Sequence, residues 1–99
     1  ILGKWVGEST TILLEGDTLR TKPNTLQMIF NKDDVQWGFS GNRGYETFQY
    51  SVSKGYLTID GEKMELIELS DSILIYKRKI LLDDNFDIAK FRKVEGLDW

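Results

Sequence analysis

Catalysis near neutral pH draws first on histidine and cysteine, and this 99-residue sequence contains neither. Without an imidazole there is no ready general base. Without a thiol there is no thiolate nucleophile, no disulfide and no sulfur metal site. The serines and threonines, such as Ser9-Thr10-Thr11, have no activating partner in the local sequence. What remains are paired carboxylates, Asp33-Asp34 and Asp83-Asp84, with Asp87 close behind the second pair. Adjacent carboxylates can share a proton or hold a hard cation. Both pairs, however, fall where turns are expected, and there Asp serves chiefly to cap the local backbone. Asp83-Asp84-Asn85-Phe86-Asp87 also lacks the central glycine and closing glutamate of a calcium loop. The expectation is a non-enzymatic protein with no catalytic residue, no metal and no cofactor.

The other chemically capable residues are aromatic, at 12% of the chain. Trp37, Phe39, Phe48, Tyr50 and Tyr76 could line a pocket for a small apolar or planar ligand, held by stacking and oriented by the hydroxyls of Tyr50 and Tyr76. Charge narrows the alternatives. The 13 basic residues stand against 16 acidic ones, for a net charge of −3 and a pI near 4.9, so no global field draws the chain to nucleic acid or to an anionic membrane. Lys77-Arg78-Lys79 and Lys90, Arg92 and Lys93 could form one basic patch if the last two strands pair, and such a patch is most often a solvated face.

These residues need elements to position them, and the periodicity is that of strands. Leu26, Met28 and Phe30 alternate with polar positions, as do Val35, Trp37 and Phe39, and Lys32-Asp33 turns one run into the other. After Gly41-Asn42-Arg43-Gly44 the run from Tyr45 to Ser53 puts Phe48, Tyr50 and Val52 on one face. Lys54-Gly55 turns it into Tyr56 to Ile59, and Asp60-Gly61 is the preferred signal for a type I′ hairpin. Met64 and Leu66 change phase to Ile67 and Leu69, which predicts a bulge. Ser70-Asp71-Ser72 leads into Ile73 to Tyr76, with Lys77 to Lys79 as an exposed end, and Ile88 to Val94 reads as the last strand. Two long connections are expected, Glu15 to Asn24 around Pro23 and Ile80 to Asp87, with a polar first segment between Leu2 and Ile12.

No sustained apolar stripe of helical period appears, so helix is limited to a turn in the long connections. The longest apolar runs, such as Ile12-Leu13-Leu14, are far short of a spanning helix of roughly 20 residues. At this length the chain makes a single domain over residues 1–99. The predicted fold is all-β: a small antiparallel up-and-down barrel of about eight strands, with an open sandwich as the alternative. Its inward set would be Met28, Phe30, Trp37, Phe39, Phe48, Tyr50, Leu57, Leu66, Tyr76 and Phe91. An eight-stranded interior is just wide enough to be filled or to hold one small ligand, and side chains this bulky favour filling.

The opening Leu2-Gly3-Lys4-Trp5 resembles the Gly-x-Trp signature of the lipocalins. The runs Phe30-Asn31-Lys32-Asp33, Phe48-Gln49-Tyr50-Ser51-Val52 and Tyr56-Leu57-Thr58-Ile59-Asp60-Gly61 are similar to the compact lipocalin-like domains of bacterial envelope proteins. The likeness spans nearly the whole chain. It departs from the animal lipocalins in having no cysteine and no room for their helix after the barrel. The resemblance implies that Gly3 and Trp5 close one end of the barrel, that Arg92 is the basic residue across the indole, and that the first strand pairs with the last near Phe91 to Val94. Because Phe91 would face inward, Arg92 would reach the indole only around the rim. The resemblance further implies an extracytoplasmic address as a periplasmic or outer-membrane lipoprotein, with a signal upstream of Ile1, and binding of a small hydrophobic ligand. The alternative is a protein-interaction or inhibitor module with a solid core, presenting Glu15 to Asn24 and Ile80 to Asp87 to its partner.

Overall fold

The structure, a computed structural model, describes residues 1–14, 18–39, 44–79 and 86–95. Nine strands follow in chain order: β1 (Gly3–Leu14), β2 (Thr18–Pro23), β3 (Leu26–Phe30), β4 (Asp34–Phe39), β5 (Tyr45–Ser53), β6 (Tyr56–Ile59), β7 (Glu62–Leu69), β8 (Ile73–Lys79) and β9 (Phe86–Val94). Neighbours pair antiparallel from β3 through β9, and β9 returns to β1, which also pairs with β3. The result is a closed eight-stranded antiparallel barrel with one extra strand, β2, laid along β1. Among the described residues there is no helix, so none long and apolar enough to cross a membrane.

The hairpins follow the expected turn chemistry. Asp60 and Gly61 both adopt positive φ, 51° and 80°, the combination that a type I′ turn requires. The phase change in β7 is a bulge: Leu66 pairs with Tyr76 and Glu68 with Ile75, leaving Ile67 as the extra residue, 51% exposed.

Three expectations about the connections are corrected. Most of the segment from Glu15 to Asn24 is not a loop, because residues 18–23 pair with Ser9–Leu14 as β2. Lys77 to Lys79 do not mark an exposed end, since β8 continues to Lys79 opposite Phe86. The last strand begins at Phe86 rather than Ile88, and the remainder of that expected connection, with Asp83-Asp84, lies outside the described residues, as do residues 41–43 of the glycine-framed turn.

β1 closes the barrel by using both of its edges. One edge pairs with β9 from Lys4↔Val94 to Leu13↔Phe86. The other pairs first with β3, Gly3↔Phe30 to Val6↔Gln27, and then with β2, Ser9↔Pro23 to Leu14↔Thr18. The handover falls at Gly7 and Glu8, where the β1–β9 register also shifts. At that point the chain between β2 and β3 crosses close to β1. A Cβ on Gly7 would stand 2.5 Å from the Asn24 carbonyl oxygen and from its side-chain carbon. Asn24 fastens the crossing by donating its amide NH2 to the Lys90 carbonyl at 3.4 Å and accepting from the Leu26 N–H at 3.1 Å. Asn is suited to this position because one short side chain offers both a donor and an acceptor.

Trp5 sits at the floor of the barrel and is 1% exposed, packed in a cluster with Met28, Phe30, Val35, Leu57, Leu74 and Phe91. Its indole N–H donates to the Ile1 carbonyl at 2.8 Å, which satisfies the one polar atom this burial would otherwise strand. Trp5 pairs in register with Lys93 and Met28, so the expected pairing of first and last strands is observed. The remaining inward residues follow the alternation: Trp37, Phe48, Tyr50 and Leu66 pack against the cluster, and Tyr76 lies within it.

The crossing at Gly7 makes a specific demand on stability. Gly7→Ala is expected to destabilise the fold by about 1–3 kcal/mol, because backbone as well as side chain must move to admit the methyl group. Denaturant unfolding of the two proteins measures the difference.

Candidate functional site

The antiparallel order sets which residues share an end. β1, β4, β6 and β8 start at the Trp5 end and β3, β5, β7 and β9 finish there. The opposite end is therefore framed by Thr10, Phe39, Tyr45, Ile59, Glu62, Arg78 and Asp87. Alternation continued outward from the core gives the inward positions at this mouth. Glu46 is in phase with Phe48 and directly opposite Trp37. Glu62 is opposite Ile59, and Arg78 is in phase with Tyr76 and opposite Asp87.

Two recesses open at this mouth. The larger, about 420 Å³, is lined by Trp37, Phe39, Tyr45, Phe48, Ile59, Glu46, Asp60 and Glu62 together with the glycine backbone at 38 and 44. The second, about 290 Å³, is lined by Thr10, Lys22, Asn24, Leu26, Tyr76, Arg78, Asp87 and Ala89 with the adjoining turn. Trp37 and Phe39 belong to both and form the wall between them. Within the barrel, side chains bury the Trp5 half and leave space at this mouth, while a further recess of about 770 Å³, lined by Gly3, Phe30, Asn31, Lys32, Asp71 and Lys93, lies at the Trp5 end.

Charge at the mouth is ordered. Arg78 donates to Asp87 through Nε at 3.3 Å and Nη2 at 2.8 Å, a two-point contact, and lies 3.8 Å from Glu62. The hydrogen bond to Asp87 is the main reason the guanidinium holds its proton more tightly than usual, against the opposing effect of partial burial. Beneath this pair Tyr76 is 5% exposed and stacked on Phe91, with ring centres 5.5 Å apart. Its hydroxyl has no hydrogen-bond partner among the described residues and borders the second recess. Burial pushes this phenol well above its ordinary value of 10.0, with Asp87 and Glu62 adding to the rise and Arg78 opposing it.

The aromatic residues expected to form a site divide between the two ends. Trp37 and Phe48 meet edge to face, 5.9 Å between ring centres, at the larger recess. Phe39 is also there, but 51% exposed rather than buried, since it ends β4 at the rim. Tyr76 faces the second recess. Tyr50 lies apart from both: its ring meets Phe30 edge to face at 4.9 Å, and its hydroxyl donates to the Asn31 carbonyl at the turn near the Trp5 end. Burial, with Asp33 and Asp34, raises its pKa too.

The closure residues are placed with one exchange. Gly3, at φ 119°, and Trp5 occupy the closed end, but the cation nearest the indole is Lys93, with Nζ 5.7 Å from the ring centre. Arg92 faces the other way, as alternation from the buried Phe91 requires, and its guanidinium lies 3.7 Å from Glu8. The same alternation thins the single basic patch, taking Arg78 and Lys93 off the outer face that Lys77, Lys90 and Arg92 share. Lys77 lies over the Phe86 ring at 4.1 Å, Arg78 turns inward, Lys90 and Arg92 share Glu8, and Lys93 goes to Trp5. Asp34 acts in its turn, accepting from the Asn31 side-chain amide at 2.9 Å. Among the described residues no three potential metal ligands converge.

Sequence reasoning passed over Glu46, Glu62 and Arg78 as site residues, and took Asp87 only as a turn carboxylate. Their signal was available: each extends an apolar alternation by one further inward step, and period-2 geometry does not stop where the side chains become charged.

The buried phenol has a measurable consequence. Tyr76 stays neutral in the folded protein, whereas the unfolded chain releases that proton near pH 10.0, so the unfolded state binds fewer protons above that pH and stability falls as pH rises. Tyr76→Phe is expected to be within about 1 kcal/mol of the parent at neutral pH, since no hydrogen bond is lost, and to lose less stability than the parent between pH 9 and 11. Denaturant midpoints across that range measure both effects. No protein-family model matches this chain, and no curated protein is significantly similar to it; the closed eight-stranded barrel is compatible with a lipocalin-like fold.

Proposed function

We propose that this barrel is a non-enzymatic binding protein for a small hydrophobic molecule, held at the mouth opposite Trp5. The observation that carries the reading is the pair of recesses sharing the Trp37–Phe39 wall. Natural ligand pockets fall at roughly 300–1,000 Å³, mostly apolar with a few polar groups that orient the ligand, and they favour the mouths of β-barrels. The larger recess, about 420 Å³ with Trp37, Phe39, Phe48 and Ile59 in its lining, has that size and composition. A planar molecule could stack on Trp37 while the rim residues exclude water from one of its faces. The extracytoplasmic, cell-envelope address rests only on the resemblance of Gly3-Lys4-Trp5 and of the runs from Phe30 to Asp33, Phe48 to Val52 and Tyr56 to Gly61, and fractionation of cells producing the native protein tests it separately.

The binding reading is tested with N-phenyl-1-naphthylamine, an uncharged probe that brightens on leaving water. Saturable binding is expected, weakened about tenfold by Trp37→Ala. Phe39→Ala, at a rim position whose loss spares the core, is expected to weaken binding in the same direction. Tyr50→Phe, remote from both recesses, leaves it unchanged. Absence of saturable binding, or binding indifferent to both Trp37 and Phe39, overturns the reading.

A further inference from the structure

The larger recess is not a neutral apolar pocket. Among the described residues its lining includes Glu46, Asp60 and Glu62 but no lysine or arginine. Glu62 is shared with Arg78 at 3.8 Å from outside the lining, whereas Glu46 has no ion pair or hydrogen bond among the described residues. In register, Glu46 is directly opposite Trp37, on the inward face of β5. A carboxylate therefore stands beside the largest aromatic surface of the recess, the two side chains within a cross-strand pair's reach of one another.

Elsewhere this chain puts its own cations on its rings: Lys93 by Trp5 at 5.7 Å, Lys63 over Tyr56 at 4.1 Å and Lys77 over Phe86 at 4.1 Å. Trp37, Phe39 and Phe48 have no such partner among the described residues.

Resting on the binding reading above, we infer that the larger recess selects an organic cation: a protonated amine carried on an aromatic or apolar body. The body stacks at Trp37 and Phe48. The ammonium group takes its place between the Trp37 face and the Glu46 carboxylate, with Glu62 supporting it from β7. Attraction to the ring quadrupole and to the carboxylate act together, and each grows as water leaves the recess. An anion of the same shape meets Glu46, Asp60 and Glu62 and is repelled. A neutral molecule stacks but gains nothing from the exposed Glu46 carboxylate.

The test compares three probes of matched shape by calorimetry at neutral pH: 2-phenylethylamine, 2-phenylethanol and 3-phenylpropionate. The amine is expected to bind about tenfold more tightly than the alcohol, the carboxylate least tightly, and the amine's advantage is expected to shrink with added salt. Glu46→Gln should bring the amine to within about threefold of the alcohol. Asp71→Asn, in the turn at the Trp5 end, should leave the amine's affinity unchanged. Equal binding of amine and alcohol, or an amine preference that survives Glu46→Gln, overturns the proposal. If none of the three binds while N-phenyl-1-naphthylamine does, cation selection falls and the hydrophobic site stands. If that probe fails too, both fall.

Discussion

Everything in this barrel depends on β1 satisfying two edges at once. A strand edge left unpaired exposes a row of backbone donors and acceptors, and closure removes that edge. Here β9 covers one edge along nearly its whole length, while the other is divided between β3 and β2. The division works only because the crossing chain passes against a residue without a side chain, Gly7, and because Asn24 ties that chain both to the Lys90 carbonyl and to the start of β3. The register shift at the same place lets Glu8 stand out toward Lys90 and Arg92 on the outer surface, at 3.6 and 3.7 Å. These exposed ion pairs contribute little energy individually, about 0–1 kcal/mol each, yet they lie where the strand is least regular.

The two ends of the barrel differ because the inward residues differ. At the Trp5 end they are large and apolar, and the indole, Met28, Phe30 and Phe91 are buried together in one cluster. At the other end the same inward positions carry Glu46, Glu62, Arg78 and Asp87. Removing a charge from water is expensive unless it is paired, so these side chains keep the mouth hydrated and resist collapse of the aromatic wall onto the opposite strands. Arg78 and Asp87 answer one another; Glu46 does not have such a partner among the described residues. Space at the mouth follows from polarity placed on an inward face.

Much of the architecture was legible. Period-2 alternation located β3 through β6 and their facing, Asp60-Gly61 announced its turn through its need for positive φ, the slip from Leu66 to Ile67 announced a bulge in β7, and β8 showed only as the apolar run Ile73 to Tyr76. The extra strand was not legible, because residues 18–23 have neither alternation nor β-branched density enough to outweigh Pro23. Proline is tolerated there as it ends an edge strand, where its missing N–H breaks no inner ladder. Aromatic type alone misled over Tyr50, which shares its phase with Phe48 but stands nearer the Trp5 end, where its hydroxyl reaches the Asn31 turn.

By itself the sequence determined the all-β class, the hairpin order, much of the inward apolar set, though not the exposure of Phe39 or the burial of Val35, Ile59, Met64 and Leu74, and the absence of imidazole and thiol chemistry, because these depend on residue type and on spacing along one strand. Tertiary structure decided what depends on residues far apart in the chain. It settled which cation meets Trp5, since alternation sends Arg92 outward and Lys93 to the indole. It gathered Glu46, Glu62, Arg78 and Asp87 from four strands onto one rim. It also decided where the recesses fall at the two ends of the barrel. Alternation sets which face a side chain occupies; only register between strands sets the height at which it meets its neighbours.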